Sequence, residues 1–540
     1  MRAFVVCLGL LLVASGVTAQ DLGPLARGDS AISGRVVDSE SGLPVAGARV
    51  DLRVTAGGSP ADAVFTDAAG TFAISGFTAG VYRLSATRLG YVDMFAEPAM
   101  QPVTIAARQH VEGLTIRLKR AVVVTGTVVD EYGDPVDGIT VFAQKVQYGS
   151  DGTLTATSSA LLGDRTNDLG QFRLFGLPPG DYLIATTGRN ARPEVGFPLI
   201  TGPGAPADTV PTYYPGTPNL AEAQMISLAN GEERSIHFAL SRVRPVAISG
   251  TVMTSAGRPA AGMRINLRTV AGQYLTVLGA GTTSAAGAFV IPSVSPGTYW
   301  IEVTAPPGSA RGERGAIEVL VDQQDVTGLS IALRQGATLT GAVEFDSSFR
   351  PGTLQIQALP ADRRDPVAQG GTSDPVDDDG RFVVRNAIGK VFLSPANSLW
   401  MTTSVVVDGR EIGEEPIDLA GRTTLSGVRV TVTDRMTDVS GGAADDRGRP
   451  LAAHSIVFLR LDAPQLPLDM RVRVLKTDVK GQFHVRGLRP GNYVVGVVPD
   501  LDGGRQFSPD FQEALRTNGR KLSLGLGEPL ILELGLTTGL

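Results

Sequence analysis

At 540 residues the chain is too long for a single hydrophobic core and long enough for several domains. Hydrophobic residues make up 43% of it, beside 66 Gly and 34 Pro, a turn-rich composition that excludes a disordered chain. The formal charge of −6 is mild and unclustered, and no basic patch exists to neutralise the phosphates of a nucleic acid.

Residues 1–19 read as a signal peptide. Arg2 supplies the positive start, Phe4 to Val13 a short apolar core, and Val17-Thr18-Ala19 the small residues before cleavage at Gln20. That core is too short to anchor in a bilayer, and no other stretch approaches 18 apolar residues. The mature chain is therefore expected to have no membrane span and to be exported, to the periplasm, the outer cell surface or the extracellular space. Cys7, the one cysteine, lies inside the leader, so no disulfide is expected afterwards. Residues 20–30 read as a linker.

A frame of glycines and aromatics then recurs five times. It opens with Ser33-Gly34-Arg35-Val36, Thr125-Gly126-Thr127-Val128, Ser249-Gly250-Thr251-Val252, Thr340-Gly341-Ala342-Val343 and the degraded Ser440-Gly441-Gly442-Ala443. A Gly-x-Phe follows at Gly70, Gly170, Gly287, Gly380 and Gly481, spaced by 100, 117, 93 and 101 residues. A Gly-x-Tyr comes next, ending in Tyr82, Tyr182, Tyr299 and Tyr493; the fourth copy has Gly389-Lys390-Val391 instead. Each copy closes on an alternating strand such as Leu114-Ile116-Leu118 or Ile236-Phe238-Leu240. The copies span 31–119, 120–243 (with a long loop at 188–221), 244–335, a divergent 336–436, and 437–540.

Inside each copy the apolar period is two. Ala48, Val50 and Leu52 alternate with Arg49, Asp51 and Arg53, and Met263, Ile265 and Leu267 with Arg264 and Asn266, the pattern of strands with one wet face. Pro-Gly pairs such as Pro179-Gly180 and Pro296-Gly297 predict a type II turn making a hairpin of the Phe and Tyr strands. One helix is predicted, over Pro509 to Thr517 behind the cap Ser508. The expected fold is all-β: five tandem antiparallel sandwiches in an extended array, each touching mainly its chain neighbours.

Catalytic chemistry finds little footing. Of the four histidines, His110, His237, His454 and His484, no two are closer than thirty residues, and none begins a His-x-x-Glu zinc motif. No Gly-x-Ser-x-Gly elbow and no phosphate-cradling loop into a helix is present. No cofactor is expected. The acidic cluster Asp374, Asp377, Asp378 and Asp379 is the best place for a hard cation such as calcium, although Asp379-Gly380 also occupies the polar turn that every copy has. Trp300, Trp400, Tyr213 and Tyr214 are the candidate binding residues, because an exposed aromatic face stacks on a sugar ring or a partner. Trp300 alternates with inward Tyr299 and Ile301, so it is expected to face outward, where covering a domain contact competes with binding. Tyr213 and Tyr214 serve equally well to pin their own loop.

Taken together, Ile32-Ser33-Gly34-Arg35-Val36-Val37-Asp38, Gly42-Leu43-Pro44-Val45-Ala46-Gly47-Ala48, Thr66-Asp67-Ala68-Ala69-Gly70-Thr71-Phe72 and Gly80-Val81-Tyr82 resemble the carboxypeptidase regulatory-like domain. Gly133-Asp134-Pro135-Val136, Gly257-Arg258-Pro259-Ala260 and Gly448-Arg449-Pro450-Leu451 repeat the pattern. The resemblance implies a Greek-key, prealbumin-like sandwich of about seven strands, frequent in exported bacterial proteins. It implies no activity, since the module accompanies many. The function expected is a non-catalytic scaffold or binding protein of the cell envelope, engaging protein or glycan. The alternative, also implied by the resemblance, is an array of carbohydrate-binding modules of starch-binding-like fold.

Overall fold

Alternation builds the layers. In the strand Val122–Val129 every second residue is buried, with Val122, Val124 and Val128 fully so, because successive side chains of an extended chain point to opposite faces. The computed structural model describes residues 27–54, 62–92, 103–186, 212–241, 246–271, 274–306, 312–347, 354–397, 399–478, 480–499, 501 and 504–540. The leader, most of the linker and the 188–211 part of the copy-two loop lie outside the described residues. The chain forms two units, Met1–Ala121 and Val122–Leu540.

Copy one shows the plan. Its strands are β1 (Arg27–Asp38), β2 (Arg49–Val54), β3 (Asp62–Phe65), β4 (Thr71–Phe77), β5 (Gly80–Thr87), β6 (Val103–Ile105) and β7 (His110–Leu118). They form one sheet in the order β4-β1-β7 and another in the order β3-β2-β5-β6. Between the sheets lie Ile32, Val36, Val50, Leu52, Phe72, Leu84 and Ile116. The protein is all-β and built of sandwiches, and each copy of the frame has its own hydrophobic cluster.

Two local expectations are corrected. The sandwiches are not wholly antiparallel, because β1 pairs with β7 in parallel. The same parallel pairing of opening and closing strands recurs in the other four copies. The chain visits the second sheet between these strands, so no hairpin dictates their relative direction. Nor is the Pro-Gly connection a hairpin: it carries the chain from one sheet to the other. Gly180, Gly297 and Gly491 there take φ of 141°, 154° and 147°, far from the value near 80° of a type II turn.

Two glycines per copy hold the opening strand. At Gly34, Gly126, Gly250, Gly341 and Gly441 an added Cβ would lie under 3.0 Å from a closing-strand carbonyl, those of Leu114, Ile236, Leu329, Val428 and Leu532. The Gly-x-Phe glycines have φ between 68° and 80° and press as closely on the carbonyls of Val36, Val128, Val252, Val343 and Ala443. Their own carbonyls accept from the amides of those same residues at 2.7–2.9 Å. The opening strand is thus clamped from two sides.

Within Val122–Leu540 the copies are not confined to chain neighbours. Leu154–Arg165 of copy two pairs in parallel with Tyr274–Thr282 of copy three, merging their larger sheets into one of nine strands. Arg268 and Arg314 of copy three donate to the carbonyls of Arg364 and Ala368 in copy four at 3.4 and 3.3 Å. Arg364 in turn donates to the carbonyl of Asp151 in copy two at 2.9 Å. Gly504 of copy five sits so close to the Tyr148 carbonyl of copy two that a Cβ would collide with it. Beside the expected contacts with chain neighbours, this unit therefore has contacts between more distant copies, because loops at the copy ends reach past the adjoining sandwich.

The expected helix is present over Pro509–Asn518, and the Ser508 hydroxyl accepts from the Phe511 amide at 3.1 Å. Phe511 and Leu515 cover Val457, Leu459 and Val494 on the outer face of the copy-five sheet.

In unit one Asp38 ends the opening strand as a clamp. Its carboxylate accepts from Arg120 Nε at 2.7 Å, the Ser41 amide at 3.0 Å and the Tyr91 hydroxyl at 3.3 Å. Burial alone would push this carboxyl up, but the hydrogen bonds from Ser41, Arg120 and Glu40 outweigh it and hold it far below the usual carboxylate range.

Replacing Gly126 or Gly341 by Ala should destabilise Val122–Leu540 by about 1–3 kcal/mol in urea denaturation. Gly535→Ala, where a Cβ meets nothing within 4 Å, should be neutral. In unit one the depressed folded value of Asp38 means its stabilisation is complete above the unfolded value of about 3.9 and fades as pH falls below it. Hydrogen-exchange protection factors in unit one, referred to the intrinsic rate at each pH, should fall below that pH in the native protein and show a flatter acid response in Asp38→Asn.

Candidate functional site

The polar residues that recur are consumed by the frame. The hydroxyls of Tyr82, Tyr299 and Tyr493 donate to the carbonyls of Thr78, Ser295 and Arg489, four residues upstream, at 2.8–2.9 Å, and Tyr182 does the same to Pro178. These bonds pin the sheet-to-sheet connection. Thr66, Thr166, Thr283 and Thr477 are buried, and their hydroxyls accept from the amides of Ala48, Ile139, Met263 and His454 at 2.9–3.0 Å. Ser373 substitutes in copy four, accepting from the Ile356 amide at 2.9 Å. Burial pushes the Tyr493 hydroxyl up to about 12, against the opposing charges of Arg460 and Arg489.

The acidic cluster follows the same logic. The Asp377 carboxylate accepts from the Arg381 amide at 2.6 Å, as Asp67 accepts from Thr71 at 2.8 Å and Asp478 from Gln482 at 2.8 Å. Asp374 pairs with Arg385 at 3.1 Å, while Asp378 and Asp379 are exposed turn residues. Among the described residues no group of three or more His, Cys, Asp or Glu is placed to hold a metal ion. The histidines are scattered: His237 meets Thr127 at 2.7 Å, His454 the Ala452 carbonyl at 2.9 Å, His484 Asp438 at 2.8 Å, and His110 is exposed.

The aromatic candidates separate. Trp400 is only 5% exposed, packed in the copy-four core edge-on to Phe345 at 5.4 Å, so its ring face is taken by the core. Trp300 is half-buried, in register with Arg268 and Glu318 on the outer face of the copy-three sheet. On that face Arg268 pairs with the nearly buried Glu302 at 3.2 Å and reaches the copy-four carbonyl. Tyr214 packs edge-on against Phe238 at 6.1 Å and its amide donates to Ile184 O at 2.9 Å. Tyr213 is 5% exposed and joins Leu183, Ala185 and Leu220 in a cluster on the outer face of the copy-two sheet. Both tyrosines therefore pin the loop.

Tyr213 also lines a cleft of about 390 Å3 between this loop and the open end of the copy-three sandwich. Asn219, Thr269, Ser295, Thr298, Leu320 and Asp322 line it too. Sequence reasoning missed these residues. The available signal was Thr269, a hydroxyl where the inward series Met263, Ile265, Leu267 predicts another apolar side chain. Burial raises the Tyr213 hydroxyl well above its ordinary value, and burial and then the charge of Tyr213 do the same for Tyr299, so the two phenols are near one another.

A second cluster joins copies four and five. Glu414 accepts from Arg460 at 2.6 Å and stands 3.5 Å from Arg489, while Arg460 also donates to Asp462 at 2.7 Å. Arg460 is buried, and burial lowers the Arg489 guanidinium against the pull of Glu414. Nothing in the alternation of Ser455–Arg460, a strand buried along its whole length, signals that its last residue is an ion-pair partner.

A chain of clamped sandwiches whose recurring polar groups all serve the frame defines a β-sandwich repeat protein. The family model of the carboxypeptidase regulatory-like domain matches residues 31–119 and 247–334, so copies one and three are such domains. No curated protein matches the chain. Among solved structures, a streptococcal ancillary pilin is 15% identical, covering 57% of this chain and 99% of its own, with a TM-score of 0.18. The Bacillus anthracis TIE protein is 10% identical over 77% of this chain and 74% of its own, at 0.16. The minor pilin of Streptococcus agalactiae is 11% identical over 40% and 96%, at 0.20. No helix among the described residues is long and apolar enough to cross a membrane.

Glu414→Ala takes the carboxylate from Arg489 and leaves Arg460 with Asp462 alone, and should cost about 2 kcal/mol in unfolding. Adding Arg460→Met should recover part of that loss, since the buried charge goes with its partner.

Proposed function

We propose that this chain is a non-catalytic, exported scaffold of the cell envelope that engages protein or glycan through its sandwich surfaces and loops. We take it as five sandwiches, divided near Lys119, Val243, Gln335 and Met436. The observation that carries this reading is where the recurring polar side chains go. In every copy the buried threonine or serine bonds the backbone, as do the Asp, Asn or Ser of the turn and the tyrosine wherever it is present, leaving no repeated reactive group among the described residues. Contacts among copies two to five support a body that presents its surfaces in fixed relation. Export is supported by the leader pattern of residues 1–19.

The second reading, a carbohydrate-binding array, is favoured by one observation only, the cleft beside Tyr213. Trp400 does not contribute, being inside a core.

The native protein should be recovered outside the cytoplasm with its N-terminus at Gln20, and should turn over no member of a peptide and glycoside panel. Retention in the cytoplasm with residues 1–19 intact would remove the envelope assignment. Turnover abolished by a chelator or a serine trap would remove the non-catalytic one.

A further inference from the structure

Taking the chain as the binding protein just proposed, we infer that the cleft between the Tyr213 loop of copy two and the open end of the copy-three sandwich binds a neutral, polyhydroxylated ligand of short-saccharide size. Three hydroxyls carry the assignment. Tyr213, Thr269 and Ser295 are 5%, 7% and 9% exposed, and all three line the cleft. No described residue hydrogen-bonds these hydroxyls. The Tyr299 hydroxyl beside them donates to the Ser295 carbonyl, not to its side chain. The three hydroxyl oxygens reach the solvent of the cleft, so a ligand that displaces that water can take up the same bonds.

The chemistry of the lining narrows the class. Among the described residues no Lys, Arg or His lines the cleft, so they offer a phosphate or carboxylate ligand no counter-charge. Hydroxyls both donate and accept, which matches a ligand whose own groups do the same. Asp322 at the rim adds an acceptor, and Leu320, 73% exposed, offers an apolar wall for the C–H face of a ring. A volume of about 390 Å3 falls in the range of small-molecule sites, about 300–1,000 Å3. Because the walls come from two copies, the site exists only while the loop of one stays docked on the other.

The test is calorimetric titration of the intact mature protein with maltotriose, cellotriose and chitotriose, with putrescine as a cationic control. At least one saccharide should bind saturably. Tyr213→Phe and Thr269→Val, which keep shape and remove a hydroxyl, should each weaken that binding about tenfold with an unchanged melting temperature. Absence of binding by all three sugars at millimolar concentration would overturn the assignment. So would sugar binding that both variants leave within about twofold, or putrescine binding lost on Asp322→Asn without any sugar binding. Each of these outcomes leaves the scaffold reading standing, whereas hydrolysis of a bound sugar would sink the non-catalytic reading and not the site.

Discussion

The fold depends on how closely the opening strand can be approached. In each copy one glycine lets a closing-strand carbonyl lie where a Cβ would be, and a second, at positive φ, lets the turn before the Phe strand press on the opening strand from the other side. Remove either clearance and the opening strand must shift away from its neighbours, which strains the sheet over the core. The frame recurs because this geometric demand recurs, and its strictness explains why even the degraded opening of copy five keeps Gly441.

With the inner faces fixed, the copies differ in what covers the outer face of the sheet that does not hold the opening strand. In copy two it is the Tyr213 loop, in copy five the helix Pro509–Asn518, and in copy four a segment of copy five bringing Ala463 and Leu466 against Phe392. Burying a second face removes more apolar surface from water and turns a simple sandwich into a three-layer element. These coverings also create the joints, since the loop over copy two ends beside copy three and the segment over copy four carries the ion pairs of Glu414. Function is sought at the joints because the repeated positions are already committed.

The aromatic candidates illustrate the limits of alternation. Period two placed Tyr299 inward and Trp300 outward, and both are so placed. It offered no such guidance for Trp400, which lies just before a strand of the divergent copy, and the ring fills that core. Tyr213 and Tyr214 lie in a loop, where no period operates, and each found a different apolar surface. The acidic cluster was legible as a turn because the same turn stands in every copy.

Local pattern sufficed to identify a series of all-strand sandwiches, since apolar period, turn residues and the spacing of glycines are properties that survive without knowing the partners of any strand. It also placed the helix Pro509–Asn518, whose cap and first proline are neighbours in the chain. Long-range packing settled that opening and closing strands run parallel, that the Pro-Gly connection changes sheets, that copies two and three share one sheet, and that Tyr213, Thr269 and Ser295 meet in one cleft. Those outcomes follow from contacts between residues tens to hundreds of positions apart, settled by how whole faces pack rather than by what each short segment prefers.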